Sequence, residues 1–247
     1  METTPSASTT DLTPKPPPKG LITPVDAIPA IEKANSRAWK GICWHHSAGA
    51  DGNTRDWPGI VKYHTSYRID FNTVTKEEFE RRKAAGEGKH FELPWKDVGY
   101  HGGIEMVEGA AVYSAGRPLS SIGAHAGVAG ASNRFNEEYI GLCAIGDFDK
   151  ATPPPAIWEK ALSVSRMFME AFQIPASHVL GHREVYDKLG VPRQKSCPGK
   201  HWNMEMFRED LGRPAAAPKG HACMVVIKKN GTMAAFNLMD IERVVFS

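Results

Sequence analysis

Three places in the chain carry side chains that could do chemistry together. Trp44-His45-His46-Ser47-Ala48 closes an apolar stretch, Gly181-His182-Arg183-Glu184 follows a short apolar run, and Lys195-Ser196-Cys197-Pro198-Gly199 forms a loop in which a Pro-Gly turn holds the cysteine. Two imidazoles and a thiolate suit zinc, and three protein ligands leave a fourth position open for water. Zinc lowers the pKa of that water from about 15.7 to about 7, so such a site works at neutral pH. Strand alternation sends His45 and His46 to opposite faces, so one of the pair looks into a given site. Tyr100, in Asp97-Val98-Gly99-Tyr100-His101, and Lys195, two residues before Cys197, offer a phenol and an ammonium that could stabilise negative charge developing on an oxygen. Each residue also has an ordinary alternative. A strand histidine is often a satisfied core residue, Cys197 a small buried hydrophobe, Tyr100 a core tyrosine and Lys195 a solvated surface lysine. His45 and His182 lie 137 positions apart, with no local CxxC pattern, so only a fold could unite them.

The elements that would position these groups can be read from periodicity and punctuation. Lys40–His46 is short and apolar, the profile of a buried strand. Asp51–Thr54 is a turn, and a helix is predicted over Arg55–Ser66 with Pro58 in its first turn. Thr75-Lys76-Glu77-Glu78 is a capping box opening a charged helix that stops at Gly86. A strand is predicted over Val98–Val107, placing Tyr100 at its start, and Glu108-Gly109 turns into a second strand over Ala110–Ala115. Tyr139–Gly146 is a nearly continuous apolar run, typical of a central strand buried on both faces. Pro153–Pro155 open a helix whose apolar stripe includes Ile157, Trp158, Ala161, Leu162, Phe168, Met169 and Phe172. His178–His182 reads as a short strand or strand end and Trp202–Leu211 as a last helix. This order predicts an α/β (α+β) fold with a central mixed β-sheet flanked by helices.

Composition removes several classes of function. In 247 residues, 30 Lys and Arg against 28 Asp and Glu leave a net charge of +2, without the concentrated basic surface that nucleic acid demands. No stretch approaches the roughly 20 apolar residues of a membrane span, and no signal peptide is visible. Residues 1–20 hold five of the 18 prolines and read as a disordered tail. The expected main domain covers 21–212, with an excursion over about 68–94. Residues 213–247 read as a linker and a β-hairpin around Asn230-Gly231. Four cysteines are too few for a disulfide scaffold, and all four are expected as free thiols, Cys43 and Cys143 in the core.

Taken in order, Trp44–Ala48, Asp97–His101, Gly123-Ala124-His125-Ala126, Ile140–Gly146, Gly181–Glu184 and Lys195–Gly199 resemble the zinc-dependent N-acetylmuramoyl-L-alanine amidases. This type 2 amidase family shares its fold with peptidoglycan recognition proteins, and the pattern is most like that of phage endolysins. It spans residues 38 to 211. The resemblance implies one zinc ion per chain on His45, His182 and Cys197, with Tyr100 and Lys195 acting on the substrate carbonyl. His125 and His46 would belong to the substrate-binding groove. Many relatives outside the phage group carry a glutamate on the central strand. Ile140–Ile145 has no carboxylate, which favours the Tyr/Lys arrangement.

The implied reaction is hydrolysis of the amide between the lactyl group of N-acetylmuramic acid and the L-alanine that begins the stem peptide. The implied partner is bacterial peptidoglycan, met by a monomer. The enzyme would wait in the host cytoplasm until release to the cell wall, and would be phage- or prophage-encoded. Two other readings share the fold: a non-catalytic peptidoglycan-binding module, and a cytosolic amidase that recycles muropeptides. Cys197 together with Tyr100 favours catalysis over binding. The excursion before Tyr100 departs from the family pattern.

Overall fold

A computed structural model describes residues 35–49 and 55–213, and the backbone of 223–227 and 233–237. Strand β1 (Gly41–His46) is buried along its whole length, as expected for a strand with parallel neighbours on both sides. It pairs in parallel with β7 (Tyr139–Ala144) and with β8 (Val179–Gly181). β5 (Gly102–Val107) runs parallel to β7, and β6 (Ala110–Ala115) closes the edge antiparallel to β5. The five-stranded order is β6-β5-β7-β1-β8, the mixed sheet predicted from the sequence. Glu108 and Gly109 both take positive φ, 49° and 84°, which a two-residue hairpin turn of matching twist requires.

The two faces of β1 do different work. Ile42 and Trp44 enter the main core with Ile157, Ala161 and Phe168 of α4 (Pro155–Phe172), Phe207 of α6 (Met204–Gly212), and Trp202. Trp44 Nε1 donates to Ser165 Oγ at 3.0 Å, satisfying its one polar atom. On the other face Cys43 clusters with Leu180 and with Val185 of α5 (His182–Leu189). Beside it Cys143 of β7 meets Trp57 and Ile60 of α1 (Trp57–His64). A short α3 (Arg134–Glu138) leads into β7.

Two expectations about the site-bearing segments need correction. The strand expected from Val98 begins only at Gly102. The backbone before it is committed elsewhere: Gly99 N donates to His64 Nδ1, Ala124 N to Gly99 O, and Arg117 N to Tyr100 O. Tyr100 therefore sits in an approach loop and not in the strand. The strand expected to run through His182 ends at Gly181, and His182 is the first residue of α5. Glu184 Oε2 accepts from Gly181 N at 2.8 Å, and Gly190 ends the helix at φ 70°, so both cap signals stood in the sequence.

The excursion is more structured than its sequence suggests. β2 (Tyr67–Ile69), β3 (Asn72–Val74) and β4 (Phe91–Glu92) form their own antiparallel sheet, ordered β3-β2-β4. They accompany the predicted helix α2 (Lys76–Ala85), which Thr75 caps by accepting from Glu78 N. Ile69 and Phe79 are fully buried, with Phe91 against Phe79. The turn between β2 and β3 puts Asp70 and Phe71 at positive φ, and the Asp70 carboxylate ties it down by accepting from Lys89 N and His90 N at 2.9 Å each.

β9 (Cys223–Ile227) and β10 (Met233–Asn237) pair antiparallel. The expected tail over 1–20, the turn at 51–54, the linker over 214–220 and the Asn230-Gly231 turn lie outside the described residues. Among the described residues no helix is long and apolar enough to cross a membrane.

Candidate metal centre

The end of β1, the first turn of α5 and the loop before α6 converge on one point. One ligand atom each from His45, His182 and Cys197 lie within 4.8 Å of one another. His45 is 1% exposed and His182 7%, and their ring centroids are 4.6 Å apart. His182 Nε2 is buried without a hydrogen-bond partner, an uncommon condition for a buried polar atom and one that a ligand would relieve. Burial holds His45 well below the ordinary imidazole range and His182 at about 4, the Lys195 charge adding to the second. Both rings are therefore neutral at physiological pH and keep lone pairs for a metal. Burial raises the Cys197 thiol, while Lys195 and Arg183 oppose that rise, and a bound dication deprotonates a coordinating thiol. Two nitrogens and one sulfur match zinc.

A second set, Cys43, His45 and His125, is equally close. Its two imidazoles are already bonded to each other, His45 Nε2 to His125 Nδ1 at 3.0 Å, and Cys43 is sealed in the core. The set with half-buried Cys197 is the better metal site. The three described cysteines, Cys43, Cys143 and Cys197, are all free.

The cysteine loop is held from below by a residue to which the sequence assigned no role. Arg183 Nη1 donates to Ser196 O at 3.1 Å and Gly199 O at 2.6 Å, its Nη2 to Trp202 O at 2.6 Å, and its backbone N to Cys197 O at 2.8 Å. Asp149 completes the clamp, accepting from Ser196 Oγ at 2.5 Å and Lys200 N at 2.8 Å.

Tyr100 and Lys195 flank the cluster. The Tyr100 ring centroid lies 5.1 Å from that of His45. Burial first, then the thiols around it, push its phenol well above the usual range. Lys195 is exposed, with its charge felt at both His182 and Cys197. The structure adds His64, which sequence reasoning missed because its only mark was a place in the last turn of a predicted helix. Buried His64 accepts from Gly99 N at 3.1 Å, stacks on Trp95 at 4.6 Å and stands 5.5 Å from the Tyr100 ring.

His46 and His125 are both buried. His46 points to the opposite face of β1, where its Nδ1 accepts from Phe148 N at 3.1 Å and its Nε2 lies 4.0 Å from Asp149. Alternation along the strand requires that separation from His45. His125 is 8% exposed and lies against His45, its Nε2 bonded to Tyr139 O at 3.1 Å.

Comparison with known proteins adds a family. The sequence profile described as N-acetylmuramoyl-L-alanine amidase matches residues 35–200. Among solved structures, the chain is similar to the N-acetylmuramoyl-L-alanine amidase LysC from Clostridium intestinale, at 21% identity over 72% of this chain and 87% of that one, with TM-score 0.42. It is similar also to the Ph2119 endolysin of a Thermus scotoductus bacteriophage, at 20% identity over 71% and 86%, TM-score 0.39. Bumblebee PGRP-SA matches at 18% identity over 68% and 80%, TM-score 0.43. No curated protein matches the chain.

Proposed function

The chain belongs to the N-acetylmuramoyl-L-alanine amidase family, whose profile spans residues 35–200, and from that premise we propose that it is a zinc-dependent hydrolase of peptidoglycan. The bond cut is the amide joining the N-acetylmuramic acid lactyl group to the L-alanine of the stem peptide. One observation carries the zinc assignment: His45, His182 and Cys197 converge from three separate elements, and His182 Nε2 is left buried and unpaired.

His45, His182 and Cys197 would hold one ion. Bound zinc supplies Lewis-acid polarisation of the scissile carbonyl and activation of water near neutral pH. The chain's own groups do the rest. Tyr100, whose phenol burial keeps protonated at neutral pH, acts as a hydrogen-bond donor to the carbonyl oxygen and not as a base. Lys195 brings a positive charge to the same side, where negative charge develops in the transition state. His64 has committed Nδ1 to Gly99 N, so its neutral ring carries the proton on Nε2 and stands beside Tyr100 as a second donor.

We read the protein further as a phage-type endolysin that reaches the wall after release from the host cytoplasm. The central strand supports this, since Tyr139–Ala144 carries no carboxylate. The deciding experiment incubates purified protein with bacterial cell walls, with and without a chelator, and counts new alanine amines against new reducing sugar ends. Amine release that stops on zinc removal and returns on zinc addition is expected. Wall binding without amine release would make the chain a recognition module. New reducing ends would make it a glycosidase.

A further inference from the structure

His45 has two ring nitrogens, and the structure gives them different duties. His125 Nε2 lies 3.1 Å from Tyr139 O. A carbonyl oxygen only accepts, so this nitrogen carries the His125 proton, and the neutral ring keeps a bare lone pair on Nδ1. That Nδ1 lies 3.0 Å from His45 Nε2. His45 must donate there, which puts its own proton on Nε2 and leaves only Nδ1 with a lone pair. Both rings are buried. Among the described residues, the ion pair between a histidine and a carboxylate falls on His46, on the other face of β1.

The seat of His125 is built with care. Its backbone N and that of Ala126 both donate to Asn136 Oδ1 at 2.8 Å. Its ring lies flat against the central strand at Gly141, where a Cβ would stand 2.2 Å from Cδ2 and 2.4 Å from Cγ. Glycine at 141 is therefore a condition for the ring to reach both Tyr139 O and His45. A residue that merely lined a groove would need neither the buried acceptor nor the cleared strand.

We propose that His125 is a positioning residue: the relay from Tyr139 O through His125 to His45 locks His45 in the tautomer that presents Nδ1 to the metal. This rests on the zinc reading above. Partners of this kind orient a ligating imidazole and raise its basicity, and losing one typically weakens metal binding by about 10–100-fold.

Three variants and one spectrum test it. His125→Leu removes the acceptor, His125→Asn keeps an oxygen near the position of Nδ1, and Gly141→Ala displaces the ring without touching it chemically. Zinc affinity is measured by competition with a chelator, and melting of the metal-free chains shows that they fold. His125→Leu and Gly141→Ala are expected to bind zinc about 10–100-fold more weakly, and His125→Asn to recover most of that loss. In the metal-free wild-type chain, long-range ¹⁵N–¹H spectra are expected to show His45 protonated on Nε2. A His45 ring protonated on Nδ1, or wild-type zinc affinity in His125→Leu, would overturn the relay. If His125→Leu does not fold, the wild-type spectrum alone decides. A wild-type chain that binds no zinc would sink the proposed function, while the tautomer would still be there to read.

Discussion

Replacing Arg183 by methionine should loosen the Cys197 loop without touching any proposed ligand. The guanidinium donates to three carbonyl oxygens, those of Ser196, Gly199 and Trp202, at 3.1, 2.6 and 2.6 Å. Hydrogen bonds from a charged donor contribute about 1.5–3 kcal/mol each, so a bare sum is about 4.5–9 kcal/mol. That sum is a ceiling, because Arg183 is only partly buried and water can reach some of the released carbonyls; three bonds from one group also do not add independently. About 3–4 kcal/mol is the expected loss, equivalent to a melting temperature lowered by about 10 °C for a domain of this size. The bond from Arg183 N to Cys197 O, at 2.8 Å, survives the substitution, so the loop should fray and not detach. Arg183→Lys, a point charge without the planar fork, should fall between. Differential scanning of metal-free and zinc-loaded protein reads the stability, and chelator competition reads the affinity. Zinc should bind Arg183→Met more weakly than wild type although all three ligands remain. Melting within a degree or two of wild type, with unchanged zinc affinity, would refute the claim that this side chain holds the loop.

The other expectations follow from the same geometry. Tyr100→Phe and Lys195→Ala should each keep zinc and near-native melting while losing about 10²–10³ in turnover on cell walls; loss of zinc in either would move that residue into the ligand set, and wild-type rates would remove it from the mechanism. Metal-free protein should lose stability as pH falls from 6.5 to about 4. Burial holds His64 and His101 at about 4, so across that window the unfolded chain takes up protons that the folded chain refuses. Each ring's contribution is full above 6.5 and fades at ~1.4 kcal/mol per pH unit; a melting temperature flat over this range would count against both. Phe79→Ala should open only the excursion, because Phe79 packs within its small separate core. Amide exchange should rise over 67–92 and stay slow in β1 and β7, whereas global loss of protection would show that the excursion supports the main sheet.

What could be read from the sequence was what is set within a few neighbours. The apolar runs of β1 and β7, the capped ends of α2, the stripe of α4 and the Glu108-Gly109 turn are consequences of local periodicity and backbone sterics. The same local rule separates His45 from His46. The reactive residue types were visible too, but not their partners. The excursion's strands stayed hidden because the Asp70-Phe71 turn lacks glycine and asparagine, and it is tied down by the Asp70 carboxylate, which accepts from the distant amides of Lys89 and His90. Helix α5 stayed hidden because it is short and its first residue, His182, faces the site. Tertiary structure alone decided that His125 lies against His45, that Arg183 and Asp149 grip the loop of Cys197, and that His64 stands beside Tyr100. These relations join residues 13 to 80 positions apart, on elements with no common period. They arise because most buried donors and acceptors find a partner once the sheet has packed, and no local pattern records which partner that will be.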